Sequence, residues 1–183
     1  MLITIVDLEH QPLEFDELIP PGKIEYGSEV KQINNFHVTG QADLLQEHRG
    51  PRNFVTDIRL KAHYDGQFEV PCARCVEPVH YDLKDEFDLL FRPVGADGEA
   101  SEHSITTSET EIGYYQGGSL ELEDVLREQV LLSLPTKTLC RQDCKGLCPR
   151  CGANLNDETC TCEETRTDPR WTALSDLGSR IKI

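Results

Sequence analysis

Apolar residues recur with a period of two along much of residues 2 to 91, the spacing of strands with one buried face rather than of helices. Leu2-Ile-Thr-Ile-Val-Asp-Leu8 predicts an opening strand, and Pro20, Pro21 and Gly22 mark a turn. Phe36, Val38 and Gly40 to Leu44 predict a second strand. Phe54 to Tyr64 predicts a third, with Val55, Ile58, Leu60 and Ala62 facing one core. Asp65-Gly66 has the form of a tight hairpin turn, returned by a strand over Gln67 to Pro71. A further strand runs through Val79, Tyr81 and Leu83 to Phe87, Leu89 and Phe91. The expected class is α+β: a mostly antiparallel sheet or partly open β-barrel over residues 1 to 92, one packed helix, and a small C-terminal cysteine-rich element.

The pattern changes twice downstream. Residues 93 to 118 are rich in glycine, serine, threonine and acidic residues with little to bury, which predicts a linker or mobile loop. Residues 119 to 135 then switch to helical spacing. Leu122, Val125, Leu126, Val130 and Leu134 repeat at that period. Glu121, Glu123 and Asp124 oppose the positive end of the helix dipole, and Pro135 stops the helix. This helix is expected to dock on the sheet. Residues 136 to 183 form the cysteine-rich element and tail, where Trp171, Leu174, Leu177 and Ile181 suggest a short terminal helix.

Charge divides the chain along the same line. The formal net charge is -15 over 183 residues. Residues 1 to 135 carry 10 basic and 26 acidic side chains, 10 - 26 = -16, whereas residues 136 to 183 carry 8 and 7, 8 - 7 = +1. Because nucleic-acid affinity comes largely from neutralising phosphates, so acidic a body disfavours bare RNA or DNA and suits a basic protein partner. The opening segment lacks a signal-peptide pattern, and no stretch approaches the ~18 apolar residues of a spanning helix. Both point to a cytoplasmic protein.

Six of the eight cysteines fall between Cys140 and Cys162, and none precedes Cys72. Such clustering favours metal over disulfides, which spread cysteines to close loops. Cys148-Pro-Arg-Cys151-Gly has the form of a zinc knuckle, and Cys160-Thr-Cys162 supplies a second pair nearby. Four thiolates close a tetrahedral shell with no open position, which makes a structural rather than a catalytic site. Cys72, Cys75, Cys140 and Cys144 leave three readings open. They form a second metal site, they include a reduced thiol pair, or Cys140 and Cys144 ligate the first ion in place of Cys160 and Cys162. The cofactor expected is therefore Zn2+, one ion or two.

Enzyme chemistry has little local support. His10, His37, His48, His63, His80 and His103 all precede the cysteine cluster. The phosphate-cradling Gly-x-x-x-x-Gly-Lys-Ser/Thr, the dinucleotide Gly-x-Gly-x-x-Gly and the nucleophile elbow Gly-x-Ser-x-Gly are missing from the sequence. Asp85, Glu86 and Asp88 fit a solvated strand face better than a paired acid and base.

The run from Cys140 through Cys144, Cys148 and Cys151 to Asn156, closed by Cys160-Thr-Cys162 and by Asp168-Pro169-Arg170, resembles the YceD family of large ribosomal RNA subunit accumulation proteins. Cys72-Ala-Arg-Cys75 after a β segment and the helix ending at Pro135 agree with it, and the resemblance spans roughly residues 36 to 177. It implies a non-enzymatic factor supporting accumulation or processing of 23S ribosomal RNA and large-subunit biogenesis, with ribosomal proteins or large-subunit precursor particles as partners. Contact residues for partner or RNA would be Arg74, Arg141, Lys145, Arg150, Asp168 and Arg170. The alternative reading is a zinc-ribbon protein-interaction module in transcription or chaperoning.

Overall fold

The computed structural model describes residues 1–48, 54–96 and 112–162. Asp168, Pro169, Arg170, the apolar tail residues and most of the expected linker lie outside the described residues.

Strands β1 (Leu2–Thr4), β2 (Leu13–Ile19), β3 (Lys31–Gln32), β4 (Phe36–His48), β5 (Phe54–Pro71), β6 (Pro78–Pro93), β7 (Ile112–Tyr115) and β8 (Ser119–Glu121) accompany helices α1 (Ile5–Leu8) and α2 (Leu122–Ser133). The larger sheet has the order β2-β4-β5-β6-β7, with β3 also pairing β5. Its pairings are antiparallel except β6 with β7, which is parallel. β1 and β8 form a separate antiparallel pair. The fold is thus mostly sheet with few helices, and the sheet path is open, without the closure of a barrel, among the described residues.

The period of two explains which face is buried. On β5, Ile58, Leu60, Ala62, Tyr64, Phe68 and Val70 are buried, while Lys61, His63 and Asp65 between them are exposed. The buried row meets Leu83, Phe87 and Phe91 of β6, with Phe36 and Val38 of β4 on the other side. Helix α2 adds Leu122, Val125, Leu126 and Val130, spaced as one stripe, to this core. Its C-terminal end is pinned to the sheet: Ser133 donates to Asp85 Oδ2 at 2.8 Å, and the Tyr64 hydroxyl lies 2.8 Å from the Ser133 oxygen.

The opposite face carries cross-strand polar pairs. Arg59 grips Asp88 with two hydrogen bonds of 2.8 and 2.7 Å, and His63 lies 2.9 Å from Glu86. At one end of the sheet, buried Arg92 donates to buried Asp57 at 3.2 and 3.0 Å and to Glu47 at 2.7 Å.

Four features differ from the sequence reading. β5 runs unbroken through Asp65-Gly66, which is a mid-strand pair rather than a hairpin turn; Asp65 pairs both His37 and Lys84. Glycine is needed there because a Cβ would sit 2.8 Å from the Phe36 ring. Gly66→Ala is therefore expected to cost about 1–3 kcal/mol by overpacking, read by urea denaturation; an unchanged midpoint would show that Phe36 moves aside freely. Only Leu2–Thr4 of the opening segment is strand, since the Thr4 hydroxyl accepts from Asp7 N–H and caps a single helical turn. Ser119–Glu121 pairs with β1, so the helix starts at Leu122 rather than near Ser119. Finally, Ile112–Tyr115, within the expected linker, is strand β7.

Candidate metal centres

The real hairpin between β5 and β6 is the segment 72–77, and it carries the first pair of cysteines. Pro71 ends β5 and Pro78 opens β6. Between them Cys72 N–H donates to the Glu77 carbonyl at 2.8 Å, and Val76 N–H to the Cys72 carbonyl at 2.9 Å. The knuckle from Cys148 repeats this turn, with Gly152 N–H donating to the Cys148 carbonyl at 2.9 Å. Gly152 has φ 75° and Val76 has φ 63°. A β-branched residue in the left-handed region is strained, and it persists only where its surroundings dictate the turn. The same turn, forced on a valine in one place and adopted by a glycine in the other, presents a Cys-x-x-Cys pair in both.

After α2 the chain returns to the first turn. Ala73 N–H donates to the Thr138 carbonyl at 2.8 Å, and this sets Cys140 and Cys144 over Cys72 and Cys75. The sulfurs of Cys72 and Cys144 lie 3.9 Å apart and those of Cys75 and Cys140 3.6 Å apart. These separations are far beyond a disulfide, roughly 2.0 Å. They bracket the ~3.8 Å edge of a tetrahedron of thiolates each ~2.3 Å from a central zinc. Cys72, Cys75 and Cys144 are buried, and Cys140 is exposed.

Cys148, Cys151, Cys160 and Cys162 make the outer group. In each group the four sulfur atoms all lie within 4.8 Å of one another, so each could hold a metal ion. Cys148 is buried, Cys151 exposed, and Cys160 and Cys162 intermediate. The structure thus gathers the eight cysteines as two separate sets of four; Cys140 and Cys144 belong with Cys72 and Cys75.

The thiols within each cluster differ in acidity. Burial pushes the Cys72 thiol up, but N–H groups of Cys140, Cys75 and Arg74 aimed at its sulfur outweigh burial and hold it at about 6. The N–H groups of Cys151 and Arg150 hold Cys148 at about 6, against burial. In the same clusters, desolvation and the sulfurs of Cys75, Cys144 and Cys72 push Cys140 up to about 12, and Cys162 is pushed up to about 12 by Cys151, by desolvation and by Cys148. One sulfur of each set is ready as a thiolate while another is kept protonated by its neighbours. Four thiolates share so small a space only around a cation.

Basic side chains sit on this element. Arg74, within the first turn, donates to the carbonyls of Cys144 at 2.7 Å and Gln142 at 3.3 Å. Arg141 lies 3.7 Å from Asp143, and Lys145 and Arg150 are exposed. Sequence reasoning missed Val76, whose role is invisible without φ; it placed Asn156 in the motif but not its contact, an amide that donates to the Cys144 sulfur at 3.3 Å. Among the described residues no helix is long and apolar enough to cross a membrane.

Comparison with known proteins follows the same part of the chain. The sequence profile of the family described as large ribosomal RNA subunit accumulation protein YceD matches residues 60–178. An uncharacterized protein of Mycobacterium tuberculosis is 37% identical over 107 residues, 58% of this chain and 48% of that protein. One from Mycobacterium leprae is 34% identical over 107 residues, 58% of this chain and 46% of that protein. A chloroplastic large ribosomal RNA subunit accumulation protein YCED homolog 1 of Arabidopsis thaliana is 30% identical over 63 residues, 34% of this chain and 20% of that protein. The chain spans about half the length of the mycobacterial relatives it matches. No solved structure matches it.

Proposed function

Since the chain belongs to the YceD family of large ribosomal RNA subunit accumulation proteins, we propose that it is a non-enzymatic cytoplasmic factor supporting accumulation or processing of 23S ribosomal RNA during large-subunit biogenesis. The observation that carries this reading is the family match over residues 60–178, which takes in both cysteine turns and the helix between them. Zinc is the ion we assign to both clusters. An all-thiolate tetrahedral set suits Zn2+, which is redox-inert and fixes backbone geometry without an open ligand position. Zinc would hold the C-terminal element against the end of the sheet and there present Arg74, Arg141, Lys145 and Arg150.

The division of charge supports an assembly rather than naked RNA as the target. A body at -16 repels phosphate but attracts basic ribosomal proteins, while the near-neutral C-terminal part contacts RNA within the particle. Cells lacking the protein are expected to contain less mature large-subunit RNA relative to small-subunit RNA. Affinity capture at low and high salt, with proteins and RNA identified together, should recover large-subunit precursors or their proteins, and fewer of them at high salt. An unchanged ratio of the two RNAs in deletion cells would overturn the reading. Capture of RNA polymerase without ribosomal components would favour a transcription module instead.

A further inference from the structure

The two cysteine clusters are joined by one side chain. Asn156 lies on the outer element, between Cys151 and Cys160, and its Oδ1 accepts Lys145 N–H at 2.8 Å. A backbone N–H can only donate, so this bond fixes which way the amide points. Its Nδ2 therefore faces inward, donating to the Cys144 sulfur of the inner cluster at 3.3 Å and to Asn154 Oδ1 at 2.8 Å.

The backbone reinforces the same junction. Leu147 N–H donates to the carbonyl of Arg74, between the inner cysteines Cys72 and Cys75, at 3.0 Å, and Leu155 N–H donates to the Gly146 carbonyl at 2.9 Å. Gly146, at φ 77°, lets the two elements close: a Cβ there would lie 2.9 Å from the Arg74 carbonyl oxygen. Cys148 N–H in turn donates to Ala153 O at 2.8 Å, and Leu147 bridges Asn154. The loop that an ion in the outer cluster would close is thus the loop that carries the amide to the inner cluster.

We propose that Asn156 couples the two clusters, so that an ion bound in either one raises the affinity of the other. The inference rests on the metal reading above. An ion held by Cys148, Cys151, Cys160 and Cys162 fixes the 146–156 loop and with it the amide on Cys144; an ion held by Cys144 strengthens the charge-assisted bond that the amide makes. Thermodynamic linkage makes the effect equal in both directions. Asn156 is a positioning residue and not a ligand.

Cobalt(II) titration of the reduced full chain, read by thiolate-to-cobalt charge-transfer absorption, tests this. Two single-cluster chains, Cys160→Ser/Cys162→Ser and Cys75→Ser/Cys140→Ser, give the separate affinities. The product of the two stepwise affinities in the intact chain should exceed the product of those separate affinities by roughly tenfold or more. In Asn156→Leu, which removes all three side-chain hydrogen bonds, the factor should fall toward one. Asn156→Asp keeps the acceptor for Lys145 but turns an oxygen toward the Cys144 thiolate, and it should abolish the coupling while preserving the loop. A factor of one in the intact chain with both sites filling, or a factor unchanged in both Asn156 variants, overturns the inference alone. Absence of cobalt binding at either cluster overturns the metal reading and this inference with it.

Discussion

Cys72→Ser is expected to cost one zinc and to loosen the junction of helix and sheet, whereas Cys148→Ser is expected to cost one zinc and leave the β-rich body folded. The difference follows from what each cluster ties together. Cys72 directly follows β5, and Cys140 and Cys144 follow α2, so the inner ion would join the end of the sheet to the chain leaving the helix. Loss of one thiolate there leaves three buried or crowded thiols and releases residues 138 to 144 from the hairpin turn. The outer cluster draws all its ligands from 148–162, so its ion would fold a local loop. Elemental analysis of freshly reduced protein should give two zinc ions per chain for the parent and one for each variant. Thermal melts should show a fall in Tm of roughly 10 °C for Cys72→Ser, as expected when a structural ion is lost from a chain of this size. Zinc near zero in the parent would refute the metal assignment. Global unfolding of Cys148→Ser would mean that the outer element is part of the main core.

Phe36→Ala is expected to be the most damaging substitution in the sheet, at about 3–5 kcal/mol. Phe36 is fully buried, with ring centroids 5.6 Å from Tyr64 and 5.8 Å from Phe68. Tyr26 meets Phe68 edge-on at 5.2 Å, and Tyr64 meets Phe87 at 5.9 Å. Removing the central ring leaves a cavity lined by rigid aromatic neighbours that cannot collapse into it, and Gly66 opposite has no side chain to fill it. A native chain stable by ~5–15 kcal/mol has little margin for such a loss. Urea melts should show the midpoint falling with the slope nearly unchanged, and Phe36→Leu should recover part of the loss. A cost below about 1 kcal/mol would mean that the aromatic cluster repacks, and the account of Gly66 would fall with it.

Local pattern was enough for elements whose signal is carried by their own side chains. Alternation marked Phe36 to Leu44 and Phe54 to Tyr64, and those segments lie within β4 and β5. The stripe Leu122, Val125, Leu126 and Val130 marked α2, because a helix exposes the same 3.6-residue period wherever it docks. β2 escaped notice: Glu14, Asp16 and Glu17 mask the one-sided row Leu13, Phe15 and Ile19, and only pairing with β4 makes a strand of it. β7 escaped for the same reason, since four residues beside glycine-rich sequence become a strand only by pairing with β6.

Spacing paired Cys148 with Cys151 and offered Cys160 and Cys162 as the second pair, with Cys140 and Cys144 as rivals for that place; the structure gives it to Cys160 and Cys162. For Cys72, Cys75, Cys140 and Cys144 spacing left three arrangements, since a separation of 65 residues between Cys75 and Cys140 carries no distance information. Two features decided the matter in three dimensions. β5 did not turn at Asp65-Gly66, because Asp65 pairs with both neighbouring strands and Gly66 with Leu83 of β6; the hairpin fell instead at Cys72–Cys75. Helix α2 then ran along the sheet toward that hairpin and delivered Cys140 and Cys144 to it. The chemistry of the clusters, thiolates in Cys-x-x-Cys turns, was thus determined by the sequence itself. Which thiolates meet was decided by long-range packing, which no local pattern encodes.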